Sequence, residues 1–218
     1  SSTSNAATLT VNPLPTASIN AVTNPICPGA NIVLQLSNTS GTSPFTLVVN
    51  GTTYPNVTSG QSFATFNPAE SSIWGNTGSP VNPNANDNQA GGIETGTKFR
   101  STISGFITGI RFYKGSTNTG THTANLWTVG GTLLKTALFT AETASGWQEV
   151  RFASPQAISA NTTYIASYHS PSGGFAITSG GLSSGVTNGP LTALATGVDG
   201  VNGVFKYGVS GFPNGGNN

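Results

Sequence analysis

The chain has 218 residues, enough for one large β domain or two modest ones. Only 6% of them are charged, the net charge is +1, and the seven basic residues are scattered between Lys98 and Lys206. Phosphate neutralisation needs a basic cluster, so nucleic acid is excluded as a partner, and no basic amphipathic segment offers a route to anionic lipid. The longest apolar runs are a few residues, far short of the roughly 20 that a membrane-spanning helix needs, and no membrane insertion is expected. Ser, Thr, Asn and Gly make up 108 residues, and Leu, Ile, Val and Phe only 48. Disorder requires low apolar content together with high net charge. The second condition fails, so the chain should fold.

No charged segment followed by an apolar one opens the chain, which says little, because the chain reads as an interior fragment or a mature product. Residues 1–16 read as an end strand, Ala7 to Val11, with a Pro-rich linker. Residues 17–68 read as an immunoglobulin-like module, with strands at Ala17 to Val22, Asn31 to Ser37, Phe45 to Asn50 and Ser62 to Phe66. Asn50-Gly51 suits a two-residue type I′ hairpin, in which both φ angles are positive. Pro13, Pro15, Pro25 and Pro28 punctuate the early strands and cannot donate to a central ladder. Cys27 stands alone and cannot close an internal disulfide; it reads as a small buried side chain, or half of a pair with its partner outside this fragment.

No Asp, Glu, Lys or Arg occurs before Glu70. That shift in composition places a module boundary near Asn67-Pro68. Residues 69–218 form the second, larger module. The stretch Gly75 to Gly92 reads as a long loop rich in Asn, Pro and Gly. Strands follow at Thr97 to Ser101, Thr108 to Lys114, Thr121 to Val129, Leu133 to Thr140, Trp147 to Ala153, Thr162 to His169 and Val204 to Val209. Alternation puts Val150 and Phe152 on one face of their strand, and Trp147, Glu149 and Arg151 on the other, where the two charges can pair. No window carries a sustained helical period with caps. The fold class is all-β, two tandem β-sandwich modules.

From Glu70 onward the sequence resembles a bacterial family catalogued as domain of unknown function 4082. The resemblance rests on Gly109-Ile-Arg-Phe-Tyr-Lys-Gly115, Thr119-Gly-Thr-His-Thr-Ala-Asn-Leu-Trp127, Gly131-Thr-Leu-Leu134, Glu142-Thr-Ala-Ser-Gly-Trp-Gln148 and Ala160-Asn-Thr-Thr-Tyr-Ile-Ala-Ser-Tyr-His169. It implies a jelly-roll-like β-sandwich, one module among many in secreted or surface-exposed bacterial proteins, often beside immunoglobulin-like repeats. The family's function is not established, so no functional residue carries over. Its pattern closes with a further strand after the element represented by Gly211-Phe-Pro213, whereas this chain stops at Asn218. The fragment thus reads as carrying a spare first strand and lacking a last one. Arbitrary truncation explains that; so does complementation, in which one copy's residues 7–11 fill another copy's open edge and build a stalk or filament.

Chemistry is sparse. Gly181-Leu-Ser-Ser-Gly185 matches the nucleophile-elbow string, but no helix follows it and Gly/Ser richness produces it by chance. His122 and His169 have no zinc spacing; both read as strand or edge residues, His122 within a polar strand. Glycoside hydrolysis needs two placed carboxyl groups, and none of the six acids has a supporting motif. The chain is read as no enzyme. Calcium accepts carboxylate and amide oxygens together, which makes Asp87 in Asn84-Ala-Asn-Asp-Asn88, with Glu94, the metal candidate beside the plainer reading of a hydrogen-bonded Asx turn. Sugar binding uses an exposed aromatic and amide or hydroxyl partners. Trp74, Trp147 and Tyr168 are the candidates, each with sandwich core as the plain alternative, together with His169, whose plain alternative is a strand or edge residue. The expected function is non-catalytic: adhesion or carbohydrate binding at an extracellular surface, with a glycan or cell-surface ligand as partner, or else further copies of the chain in a structural filament.

Overall fold

The structure is a computed structural model, which describes residues 16–22, 32–49, 51–66, 70–75 and 78–216. The strand expected at residues 7–11, Cys27 and Asn50 lie outside these. The chain divides into two compact units, Ser1–Glu70 and Ser71–Asn218. The described residues form strands, turns and bends with no helix.

Unit 1 contains β1 (Ser18–Ala21), β2 (Ile32–Ser37), β3 (Phe45–Val49), β4 (Thr52–Val57) and β5 (Ser62–Phe66), in a three-stranded sheet β1-β2-β5 and a hairpin β3-β4. Its buried core is small: Leu36, Val57 and Ala64, with Tyr54 edge-on to Phe63 at 5.3 Å. The hairpin turns between the paired residues Val49 and Thr52, and Gly51 there has φ 78°, the left-handed conformation a two-residue hairpin demands.

Unit 2 is a larger sandwich. Its strands are β6 (Asn82–Asn86), β7 (Ile93–Ser101), β8 (Gly105–Lys114), β9 (Thr123–Thr128), β10 (Leu133–Leu138), β11 (Gly146–Ile158), β12 (Tyr164–Ser170), β13 (Gly174–Ile177), β14 (Val186–Asn188), β15 (Leu191–Ala193), β16 (Val204–Tyr207) and β17 (Gly215–Gly216). One sheet runs β10-β9-β12-β7-β15-β14, with β16 also on β7 and β17 on β16. Two separate antiparallel pairs, β11-β8 and β13-β6, complete the unit. The core joins both layers: Phe99, Leu126, Tyr164 and Tyr168 from the large sheet meet Ile110, Phe112, Phe152 and Ile158 from β8 and β11. Burying side chains of this size stabilises by about 1.5–3 kcal/mol each.

One edge of β7 is shared. β16 pairs with Ile93 to Gly96, and β15 with Phe99 to Ser101. Asn202, almost fully buried, fills the gap. Its Oδ1 accepts from the Lys98 backbone N–H at 2.7 Å, while its Nδ2 donates to the Lys98 carbonyl at 2.9 Å and the Leu194 carbonyl at 2.7 Å. A side-chain amide thus takes the place of a strand residue and leaves no ladder group orphaned.

Two expectations need correction. The stretch 75–92 is not structureless: β6 lies within it and pairs with β13 across more than eighty residues of chain. Asx turns shape it, since the Asn84 and Asn88 N–H groups donate to the side chains of Asn82 and Asn86 at 3.1 and 2.7 Å. His122 is not on a polar strand face but fully buried, before β9 begins. Its Nδ1 sits 2.8 Å from the Glu142 carboxylate, which also accepts from Lys114 Nζ at 2.8 Å. Nε2 lies 2.9 Å from Asn118 Oδ1, and Asn118 Nδ2 has no partner. Burial holds His122 below its ordinary pKa, against the pull of Glu142. A neutral ring needs a donor at Nε2, which the Asn118 amide supplies when turned end for end.

Candidate functional site

Layer two of unit 2 is in two pieces, and a cavity of about 650 Å³ opens beside both. Consecutive residues Ile110 to Tyr113 of β8 form one wall, and Phe175 to Ile177 of β13 continuing into Thr178 form another. The large sheet contributes Ile93, Thr95, Phe99, Tyr168, Phe205 and Tyr207. The small side chains of Thr95, Thr97 and Ala166 leave the space that larger residues would have filled. Residues 73–75, 78–80 and 180–182 complete the lining. The floor includes the buried Ile93, Phe99 and Tyr168, whereas Trp74, Tyr207 and Asp87 are exposed. A concave, largely apolar cavity with several aromatics and a few polar groups is the usual form of a small-molecule site.

Four of the six residues singled out from the sequence line this cavity: Trp74, Trp147, Tyr168 and Asp87. Trp74 is 36% exposed. The Trp147 indole N–H donates to the Gly78 carbonyl at 2.8 Å, and the ring carries the Arg111 guanidinium 5.0 Å from its centroid, with Tyr113 edge-on at 5.5 Å. It is a wall more than a free platform. Tyr168 stacks on Phe112 at 4.1 Å and is 8% exposed. Its hydroxyl lies beside the Ala176 backbone without a well-formed hydrogen bond, and burial pushes the phenol well above its ordinary pKa. Asp87 Oδ2 accepts from the Tyr207 hydroxyl at 2.6 Å, a bond that raises the Tyr207 pKa.

The other two residues, His169 and Glu94, lie elsewhere. They sit opposite one another on the other face of the large sheet, β12 to β7. His169 Nε2 bonds the Gly208 carbonyl at 3.0 Å. Glu94 is fully buried, and its carboxylate accepts from Ser167 Oγ at 2.5 Å, Ser210 Oγ at 2.9 Å and Asn125 Nδ2 at 3.0 Å. Trp127, on the same face, donates to Ser167 Oγ at 2.8 Å and meets Phe212 at 5.7 Å. The acid facing His169 comes from a distant strand, which the local sequence does not reveal. Asp87 and Glu94 are not brought together. No group of three or more His, Cys, Asp or Glu side chains placed to hold a metal exists among the described residues.

Sequence reasoning missed Tyr207, Arg111, Phe175 and Phe205. The signal for Tyr207 was present in period-2 form, since Phe205 and Tyr207 share one face of β16. Arg111 shares the outer face of its strand with Tyr113, and there meets the predicted charge pair: Glu149 lies 3.5 Å from Arg111 and 2.8 Å from Arg151. Gly181 and Leu182 of the elbow-like string are turn residues in the cavity wall.

No curated protein matches this chain, and no solved structure does. A family model, described as Domain of unknown function (DUF4082), matches residues 77–218, which takes in all but the first lining segment of the cavity. The chain belongs to that family.

Proposed function

We propose that unit 2 is a non-catalytic carbohydrate-binding module of a bacterial surface or secreted protein, serving adhesion, with this cavity as the sugar site. The observation that carries this reading is the convergence of exposed aromatics, Trp74 and Tyr207, with a carboxylate acceptor, Asp87, on the lining of one cavity of about 650 Å³. Sugars present an apolar C–H face to stack and hydroxyls to bond, which is what these groups match. The surroundings support binding more than turnover. Glu94 is saturated away from the cavity, the His122–Glu142 pair is not among its lining residues, and Asp87 is the one carboxylate that is. A chain half composed of Ser, Thr, Asn and Gly, with 6% charge, suits an extracellular setting and offers nothing to nucleic acid or anionic lipid.

A glycan array probed with the whole chain tests the reading, with Trp74→Ala as control. Binding to one or more glycans that falls at least tenfold in the variant is the expected result. Binding that Trp74→Ala leaves untouched would place the site elsewhere.

A further inference from the structure

Resting on that carbohydrate reading, we infer that Arg111 is a positioning residue of the sugar site: it fixes the turn that carries Trp74 and does not itself meet the sugar.

Trp74 lies on a segment with no strand of its own, Ser71 to Gly75, immediately after the boundary between the units. An exposed ring on such a segment would sample many placements, and the entropy lost in ordering it would oppose binding. Side chains of unit 2 supply the order beforehand. Ile73 packs against the core. Asn188 Nδ2, from β14, donates to the Ser72 carbonyl at 2.8 Å. Ser72 Oγ donates to the Trp74 carbonyl at 2.9 Å and closes the turn on itself. Arg111, from β8, grips that turn at both ends: Nη1 donates to Ser72 Oγ at 3.1 Å and to the Trp74 carbonyl at 3.4 Å.

The guanidinium is held in turn from β11. It lies 5.0 Å from the centroid of the Trp147 ring, and its Nε is 3.5 Å from Glu149, a carboxylate shared with Arg151. One planar group thus ties the backbone of Trp74 to the ring of Trp147, the two tryptophans of the cavity lining. Arg111 lines the cavity too, but only 18% of its side chain is exposed, and its donors serve the turn and Glu149. A fork of donors that also lies against an aromatic ring is a geometry that lysine does not reproduce, although it keeps the charge.

Two measurements on the full chain test this. In the 15N-labelled chain without sugar, Arg111→Lys should lower the order parameter of the Trp74 indole N–H and leave that of Trp127 unchanged. With the saccharide that binds best on the glycan array, calorimetry should show Arg111→Lys to be about fivefold weaker, the cost of ordering a loosened ring. Trp74→Ala alone and Trp74→Ala combined with Arg111→Lys should bind equally, to within about twofold, because a residue that acts through the ring has nothing to act on once the ring is gone. Ser72→Ala leaves the guanidinium intact and should lower the same order parameter and the affinity in smaller measure, which keeps the role testable where Arg111→Lys does not fold. A further severalfold loss in the combined variant means that the guanidinium meets the sugar itself, and an unchanged Trp74 order parameter means that it holds nothing; either overturns the inference while the carbohydrate reading stands. No saccharide binding by a chain that circular dichroism shows folded overturns both.

Discussion

A carboxylate lies on each side of the large sheet in unit 2, Glu94 from the sheet itself and Asp87 from the segment after β6, and the two are treated in opposite ways. On one face Glu94 is sealed under residues 208–213, with Ser167, Ser210 and Asn125 donating to it, and with Lys206 Nζ and His169 Nε2 fixing the covering backbone at the Val209 and Gly208 carbonyls. On the other, Asp87 has one phenolic partner at an open cavity. A buried acid whose acceptor sites are filled holds structure, because removing it strands its donors. An exposed acid with acceptor capacity to spare holds little and is free to meet a ligand. The contrast teaches that burial and partner count, not residue type, separate the two roles.

The largest effect should come from Glu94→Leu, which orphans three donors and is expected to cost about 3 kcal/mol, read as a lowered urea midpoint. A change under about 0.5 kcal/mol would erase the distinction between the faces. Asn202→Ala comes next: it strips the Lys98 N–H and the Leu194 carbonyl of their partner, while the Lys98 carbonyl keeps the Leu194 N–H, at about 2 kcal/mol. Asp87→Asn, by contrast, should leave stability within about 0.5 kcal/mol, as exposed substitutions generally do.

Acid should weaken unit 2 in two stages. His122 is held below its ordinary 6.5 by burial, so the unfolded chain takes up a proton first and stability falls as pH drops below about 6.5. For Glu142, burial raises the pKa, but the bonds from Lys114 and His122 outweigh it and the net value lies below 4.5. That stability is present above pH 4.5 and is lost as pH falls through the lowered value. Urea midpoints measured from pH 7.5 to 3.5 should decline throughout, and Glu142→Gln should flatten the lower stage. The smallest effect is Tyr168→Phe on stability, near zero or slightly stabilising, since the hydroxyl it removes has no partner to lose.

Much of the fold was legible because period-2 alternation survives in long strands such as β8, β9, β11 and β12. The strands missed in unit 2, β6, β13 to β15 and β17, are short, and β6 is written entirely in Asn, Pro and Ala; pairing with distant strands makes them strands, not their own propensity. The site was half legible. Trp74, Trp147, Tyr168 and Asp87 stand out by type, whereas Tyr207 reaches Asp87 from 120 residues away and Glu94 owes its burial to strands 31 and 73 residues on. Such pairings depend on strand order, which a single sequence does not encode locally.

The three tryptophans give the most direct measurement, because each indole N–H yields its own proton–nitrogen resonance. Trp74 and Trp147 line the cavity, while Trp127 is bonded to Ser167 on the opposite face of the sheet. Titrating the 15N-labelled chain with the sugar that binds best should move the Trp74 resonance most, move Trp147 with it, and leave Trp127 in place. Movement of Trp127 alone, or of none of the three under saturating sugar, would contradict the assignment of the cavity as the binding site.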